Sequence, residues 1–154
     1  MKSIDYITDV SQWKDEFTFH IPIKIRFAET DMFGHVNNVF VFMYLEEARV
    51  DYLKQIGLFQ DFSNDMVPIV VADLQCNYLK QIYFTDHLSV FVKMASVGET
   101  SFDLHYMGEN AKGEVCFTAR GRMVQIDPIT GKSKRFSSEV KRQLLEMINP
   151  FNEA

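Results

Sequence analysis

Between Arg26 and Leu53 the chain reads R-F-A-E-T-D-M-F-G-H-V-N-N-V-F-V-F-M-Y-L-E-E-A-R-V-D-Y-L. Asp31 is a lone carboxylate in a turn that leads into a long apolar helix beginning near Asn38. An acid facing the amino end of a buried helix makes a compact hydrolytic device. The carboxylate acts as base or nucleophile, and the helix N–H groups receive an oxyanion. Asp is also a common turn former and helix cap, so the local residues alone leave both roles open. His35 can orient substrate or water, or equally sit as a satisfied histidine beneath the helix start. Asn37 and Asn38 read more as caps that place the first amides than as groups that react. Glu29, Asp31 and His35 together invite a metal, but their spacing matches no dedicated ligand motif, and no metal is expected.

Other residues carry weaker signals. Ser101 follows the Gly98-Glu99-Thr100 turn and could contact a ligand, although a strand-start hydroxyl explains it as well. Phe40, Phe42, Met43 and Tyr44 could line a pocket, but core packing is the commoner fate of such side chains. Glu46 and Glu47 are alternative carboxylates, and their closeness to Arg49 favours ion pairing. A Gly-x-Ser-x-Gly elbow is absent, and so is a glycine loop that would cradle phosphate.

The elements that must hold the Asp31 turn follow from periodicity. Phe17, Phe19, Ile21, Ile23, Ile25 and Phe27 alternate with polar residues, which predicts a strand over 17–27 with one buried face. Pro22 lies on the polar side and cannot donate to a ladder, so that strand belongs at an edge or carries a bulge. Val41, Leu45, Ala48, Tyr52 and Ile56 form a helical stripe, with Asn37 or Asn38 as N-cap and Gly57 as the stop. The first two turns, V-F-V-F-M-Y-L, are apolar all round and predict an enclosed half-helix. Strands are expected at 70–78, 88–97, 101–108 and 115–126. A last amphipathic helix, capped by Ser137 or Ser138, presents Val140, Leu144 and Ile148. Strand, helix, four strands and helix in that order give an α+β fold in which an antiparallel sheet packs on a helix. The expectation is a single domain over 1–154, with its core at about 17–127 and the C-terminal helix at about 138–148.

Composition narrows the function classes. Apolar residues make up 47% and charged residues 24% of the 154, with 14 Phe and 8 Met, which suits a core or cavity wall of large, adaptable side chains. A net charge of −5 argues against a general nucleic-acid binder. Residues 1–77 hold 6 Lys/Arg against 12 Asp/Glu, and residues 78–154 hold 10 against 9. An anionic ligand could therefore meet Lys80, Lys93, Arg120, Arg122 or the basic run 132–135, all of which otherwise read as solvated surface. The acidic N-terminus does not resemble a secretory signal, and the run Val39–Leu45 is too short to span a bilayer. Cys76 and Cys116 read as reduced core thiols, which points to the cytoplasm.

The run R-x-x-E-T-D-x-x-G-H-V-N-N, followed by an aromatic-rich helix ending E-E-A-R, resembles the hotdog-fold acyl-CoA thioesterases, most closely the 4-hydroxybenzoyl-CoA thioesterase branch. The resemblance spans roughly 18–127. It implies a curved antiparallel sheet wrapped around a long central helix, with active sites at the interface of a homodimer or homotetramer. It further implies Asp31 as the catalytic carboxylate and the backbone N–H near Asn38 as the group that polarises the thioester carbonyl. Gly34 would let the backbone approach substrate, and His35 could assist the departing thiolate. Catalytic roles thus fall to Asp31, Asn38 and His35, and substrate contacts to Gly34, Asn37, Phe40 and Ser101. The implied reaction converts an acyl-CoA to free acid and CoA; the CoA thioester is the substrate, and no cofactor is expected. The alternatives are an acyl-carrier-protein thioesterase and a non-catalytic acyl-CoA sensor or partner protein of the same fold.

Overall fold

The computed structural model describes residues 3–59 and 68–148; the outermost ends of the expected domain span lie outside them. The elements in chain order are α1 (Val10–Asp15), β1 (Phe19–Ile23), α2 (Asn38–Gln55), β2 (Ile69–Tyr78), β3 (Leu88–Val97), β4 (Ser101–Glu109), β5 (Val115–Gln125) and α3 (Ser138–Glu146). The five strands form one antiparallel sheet in the order β1-β3-β4-β5-β2. β1 is an edge strand, one of the two placements that the missing Pro22 N–H allows.

The alternation over 17–27 overstates that strand. Ile21, Ile23 and Ile25 turn into the core, but Phe27–Glu29 winds into a single 3₁₀ turn and Phe27 is 78% exposed. The cause is local: Glu29 Oε1 accepts from the Arg26 N–H at 2.8 Å and from the Tyr44 hydroxyl at 2.9 Å, which closes the turn against the helix.

α2 lies against the inner face of the sheet. Asn37 is its cap, with Oδ1 accepting from the Val39 N–H at 3.1 Å. Past its far end Gly57 takes φ 85°, the left-handed conformation that stops a helix cheaply. Val41, Leu45, Ala48 and Tyr52 are buried, and Phe102, Leu104, Tyr106 and Phe117 of the sheet share their core. This is the hotdog arrangement. The enclosed first half of α2 is not found within one chain. Val39 is 63% and Met43 55% exposed, because they point away from the sheet and none of the other described residues covers that side.

Periodicity missed α1. This six-residue helix, capped by Asp9, lies across the outer face of the sheet and inserts Trp13. Trp13 Nε1–H donates to His105 Nδ1 at 2.9 Å, while Lys93 Nζ reaches the Trp13 carbonyl at 3.0 Å and Glu16 at 2.6 Å. α3, capped by Ser137, closes the other side with Leu144 fully buried.

Candidate active site

The Asp31 turn is a small hairpin. Thr30 and Val36 bridge its stem, and the Asp31 N–H donates to the His35 carbonyl at 2.8 Å. The Phe33 and His35 N–H groups both donate to Asp31 Oδ1, at 2.8 and 3.1 Å. Gly34, with φ 75°, turns the tip. The hairpin is pinned to the segment before β3: the Val36 N–H donates to the Ile82 carbonyl at 2.7 Å, and the Phe84 N–H to the Gly34 carbonyl at 3.1 Å. Asn37 follows at once, its N–H on the Glu29 carbonyl at 2.8 Å. Turn and helix start therefore share one rigid frame.

Beside this frame lies a cleft of about 580 Å³, walled by Asp31, Val36, Asn37, Asn38 and Val41 on one side and by residues 78–82 on the other. That size falls within the usual range for small-molecule sites. One carboxylate oxygen of Asp31 is committed to the turn, and Oδ2 accepts no hydrogen bond from the described residues. At the helix start the cap takes the Val39 N–H on Asn37 Oδ1 and the Phe40 N–H on the Asn37 carbonyl, which leaves the Asn38 N–H outside the cap. Tyr78 ties the two walls together, its hydroxyl donating to the Asn38 carbonyl at 2.8 Å. Lys80 lies on the far wall and is ion-paired with Glu114.

Of the residues singled out from sequence, Asp31, Asn37 and Asn38 meet on this cleft. Gly34 shapes the turn without lining it. The ring of His35 packs edge-on against Tyr83, with centroids 4.8 Å apart, instead of facing the cavity. Phe40 and Phe42 pack on the core, and Tyr44 is buried with its hydroxyl on Glu29. Ser101 lies elsewhere in the chain's own fold. It pairs with Val124, and through it with Val70, eight residues from Tyr78 along β2, or about 26 Å. Its neighbours are the Gly98–Thr100 turn and the edge where β2 begins.

Tyr78, Leu79 and Ile82 were not anticipated. The only signal was that Tyr78 closes the alternating stretch of β2. Among the basic groups of the described residues, Lys80 alone reaches the cleft. Lys93 is buried under α1, and Arg120 and Arg122 pair with Asp73 and Asp103 across the outer face. Glu29 serves the turn, and no three metal-type side chains converge among the described residues. Cys76 and Cys116 are free thiols; burial pushes them up to about 12 and about 11.

A single antiparallel sheet packed on one long central helix is the architecture of the hotdog fold. The chain belongs to the thioesterase-like superfamily, whose family model matches residues 25–144. An uncharacterized protein of Bacillus subtilis (strain 168), YsmA, is 43% identical over 134 residues, covering 87% of this chain and 90% of that one. The long-chain acyl-CoA thioesterase FadM of Escherichia coli (strain K12) is 28% identical over 127 residues, 82% of this chain and 96% of its own. A solved DHNA-CoA thioesterase from Staphylococcus aureus superposes with a TM-score of 0.75 at 25% identity, over 86% of this chain and 91% of that one. A thioesterase from Thermus thermophilus, solved with coenzyme A and Zn, shares the fold with a TM-score of 0.73 at 24% identity, over 83% and 98%. No helix among the described residues is long and apolar enough to cross a membrane.

Proposed function

We propose that this protein hydrolyses an acyl-CoA thioester to the free acid and CoA, at the cleft shared by Asp31 and the start of α2. The observation that carries the reading is this pairing: Asp31, whose Oδ2 accepts no hydrogen bond from the described residues, and Asn38, whose N–H lies outside the cap, line one cavity of about 580 Å³. A thioester is already an activated acyl group, so its hydrolysis asks little more than a placed base and an oxyanion donor. Asp31 takes a proton from water as that water adds to the carbonyl carbon, or its own oxygen adds and forms a mixed anhydride that water then opens. In either route the carbonyl oxygen becomes an alkoxide facing the Asn38 N–H. The C–S bond breaks as the carbonyl re-forms, and CoA leaves as thiolate and takes up a proton. One oxyanion donor is worth on the order of 10²–10³ in rate.

The superfamily membership supports thioester chemistry. Assignment to the 4-hydroxybenzoyl-CoA branch, and CoA rather than acyl carrier protein as the thiol, belong to this proposal. So does a cytoplasmic location. The protein acts as a homodimer or homotetramer. Val39 and Met43 on the open side of α2, Val70 and Val71 on edge strand β2, and Phe27, Met32 and Phe33 around the Asp31 turn leave an apolar surface that a second copy would cover.

The test is Asp31→Asn. Asparagine keeps the Oδ1 acceptor that the turn needs and removes the base, so melting temperature and acyl-CoA binding should hold. Thiol release should fall by about 10²–10⁴. Undiminished release from a panel of acyl-CoAs would sink the role of Asp31. Tight acyl-CoA binding by wild type with no release from any of them would favour the sensor reading.

A further inference from the structure

Glu29 stands at the base of the Asp31 hairpin and holds α2 at two levels. Its carbonyl accepts the Asn37 N–H at 2.8 Å, at the helix cap. Its Oε1 accepts the Tyr44 hydroxyl at 2.9 Å and the Arg26 N–H at 2.8 Å. Tyr44 is buried and lies seven residues past Asn37, about two turns or about 10 Å further along the helix. Burial, and then the hydrogen bond to Glu29, hold its phenol above the ordinary range, so it stays a donor. A hydroxyl donating to a carboxylate is charge-assisted and stronger than a neutral pair. The other bonds of the hairpin run within it or to the segment before β3. Among the described residues, Glu29 is what ties the hairpin to the body of the helix. All of these bonds lie within one chain and owe nothing to a second copy.

We infer that Glu29 is a positioning residue for the proposed hydrolysis: together with Tyr44 it fixes the angle between the hairpin that carries Asp31 and the helix start that carries the Asn38 N–H. The inference rests on the thioesterase reading of the cleft. A joint at Asn37 alone is a pivot, about which hairpin and helix can rotate. A second joint two turns away removes that rotation. Asp31 and the Asn38 N–H must meet opposite sides of one thioester carbonyl, and a misplacement of about 1 Å between such groups can cost about 10² in rate. Glu29 is not among the residues that wall the cleft, so it acts through Asp31 and Asn38 and touches no substrate.

Steady-state thiol release by the full-length protein tests this. Acetyl-, decanoyl-, palmitoyl- and benzoyl-CoA are the probes, with full kinetics on the one that wild type hydrolyses fastest. Tyr44→Phe removes the far grip with a single oxygen atom and leaves half-buried Glu29 to its Arg26 bond and water. It should lower kcat about tenfold or more, with KM within about twofold of wild type. Glu29→Ala should do the same, and the double variant should be no slower than Glu29→Ala alone. Glu29→Gln keeps the Oε1 acceptor and should restore kcat to within about threefold of wild type, a rescue that a role for the charge itself would not allow. Wild-type kcat in Tyr44→Phe, a Glu29→Gln variant as slow as Glu29→Ala, or independent losses in the double variant overturn the inference and leave the thioesterase reading in place. No release by wild type from any probe overturns both.

Discussion

The two ends of the molecule's polar chemistry are built on opposite plans. On the inner side, the tip of the Asp31 turn is local: the bonds that close it join residues two to four apart, long-range bonds to the segment before β3 only pin it in place, and the acid and helix mouth it presents are exposed and incompletely satisfied. On the outer side, the α1 clamp is long-range. Trp13 reaches His105 and Lys93, 92 and 80 residues away, and every polar side-chain atom buried there has a partner. Lys93 Nζ also sits 5.2 Å from the Trp13 ring and 4.9 Å from the Phe17 ring. Unspent hydrogen-bonding capacity marks a place where something else is meant to bind. Capacity fully spent within the chain marks a fastening. Changes in the first region should therefore act on turnover and spare stability, and changes in the second should do the reverse.

The largest effect expected is that of Asp31→Asn, about two to four orders of magnitude in turnover with melting held to within roughly a degree or two. Trp13→Ala is its mirror. Removing a buried indole costs about 3–5 kcal/mol, which for a chain of this size lowers the melting temperature by on the order of 10 °C. Turnover measured below the transition should stay within about twofold of wild type. If Trp13→Ala abolishes turnover while the protein is still folded, the two regions are coupled and the division between them fails.

A finer separation comes from pH. Burial, aided by the nearby Lys93 charge, pushes His105 down to about 4, and the partly opposing Asp103 and Glu16 charges do not restore it. The folded chain thus keeps a neutral imidazole whose Nδ1 accepts from Trp13, whereas the unfolded chain takes up a proton near the ordinary histidine value of about 6.5. Folding then favours the deprotonated form. The His105 contribution to stability should be level above about pH 6.5 and should decline as pH falls from there toward 4, by up to about 3 kcal/mol. Denaturant titrations between pH 7 and 4 should show this slope in wild type and a shallower one in His105→Gln, whose amide carbonyl can still accept from the indole. An identical slope in both proteins would remove His105 from the account.

The contrast also explains what could be read in advance. The helix α2, its Asn37 cap, the Gly57 stop, the strand limits at Leu88–Val97 and the Asp31 turn all rest on short-range signals, and the structure places them where those signals point. Pro22 narrowed β1 to an edge or a bulge, and the strand lies at the edge. What failed was long-range or competitive. The end of β1 was lost because the side chain of Glu29 pulls residues 27–29 into a turn against Tyr44, a contact fifteen residues away. α1 is too short to show a periodicity, and its anchor Trp13 is meaningful only once β3 and β4 lie beneath it. Ser101 lies at the other end of the sheet from its own chain's cleft, a placement that only strand register fixes. The contact between the His35 ring and Tyr83, beside the bridge that joins the two residues, was equally out of reach of local spacing. The far wall of the cleft was invisible for the same reason: residues 78–82 meet Asn38 only through the fold.

Tyr78 offers the smallest and most discriminating test, because it belongs to neither region's local logic. Its hydroxyl spans the cleft from the end of β2 to the carbonyl of the first residue of α2, a bond across forty positions that serves the site rather than the core. Replacing it with phenylalanine removes one half-exposed hydrogen bond, worth about 0.5–1.5 kcal/mol, and water can reach the freed carbonyl. Stability should barely move. If the bond fixes the Asn38 peptide so that its N–H meets the developing oxyanion, kcat should fall several-fold while KM for an acyl-CoA stays near wild type, since the substrate's ground-state contacts are untouched. A rise in KM with kcat unchanged would instead make Tyr78 part of the wall that holds the acyl-CoA, and the helix mouth would then be positioned by the Asn37 cap and the hairpin alone.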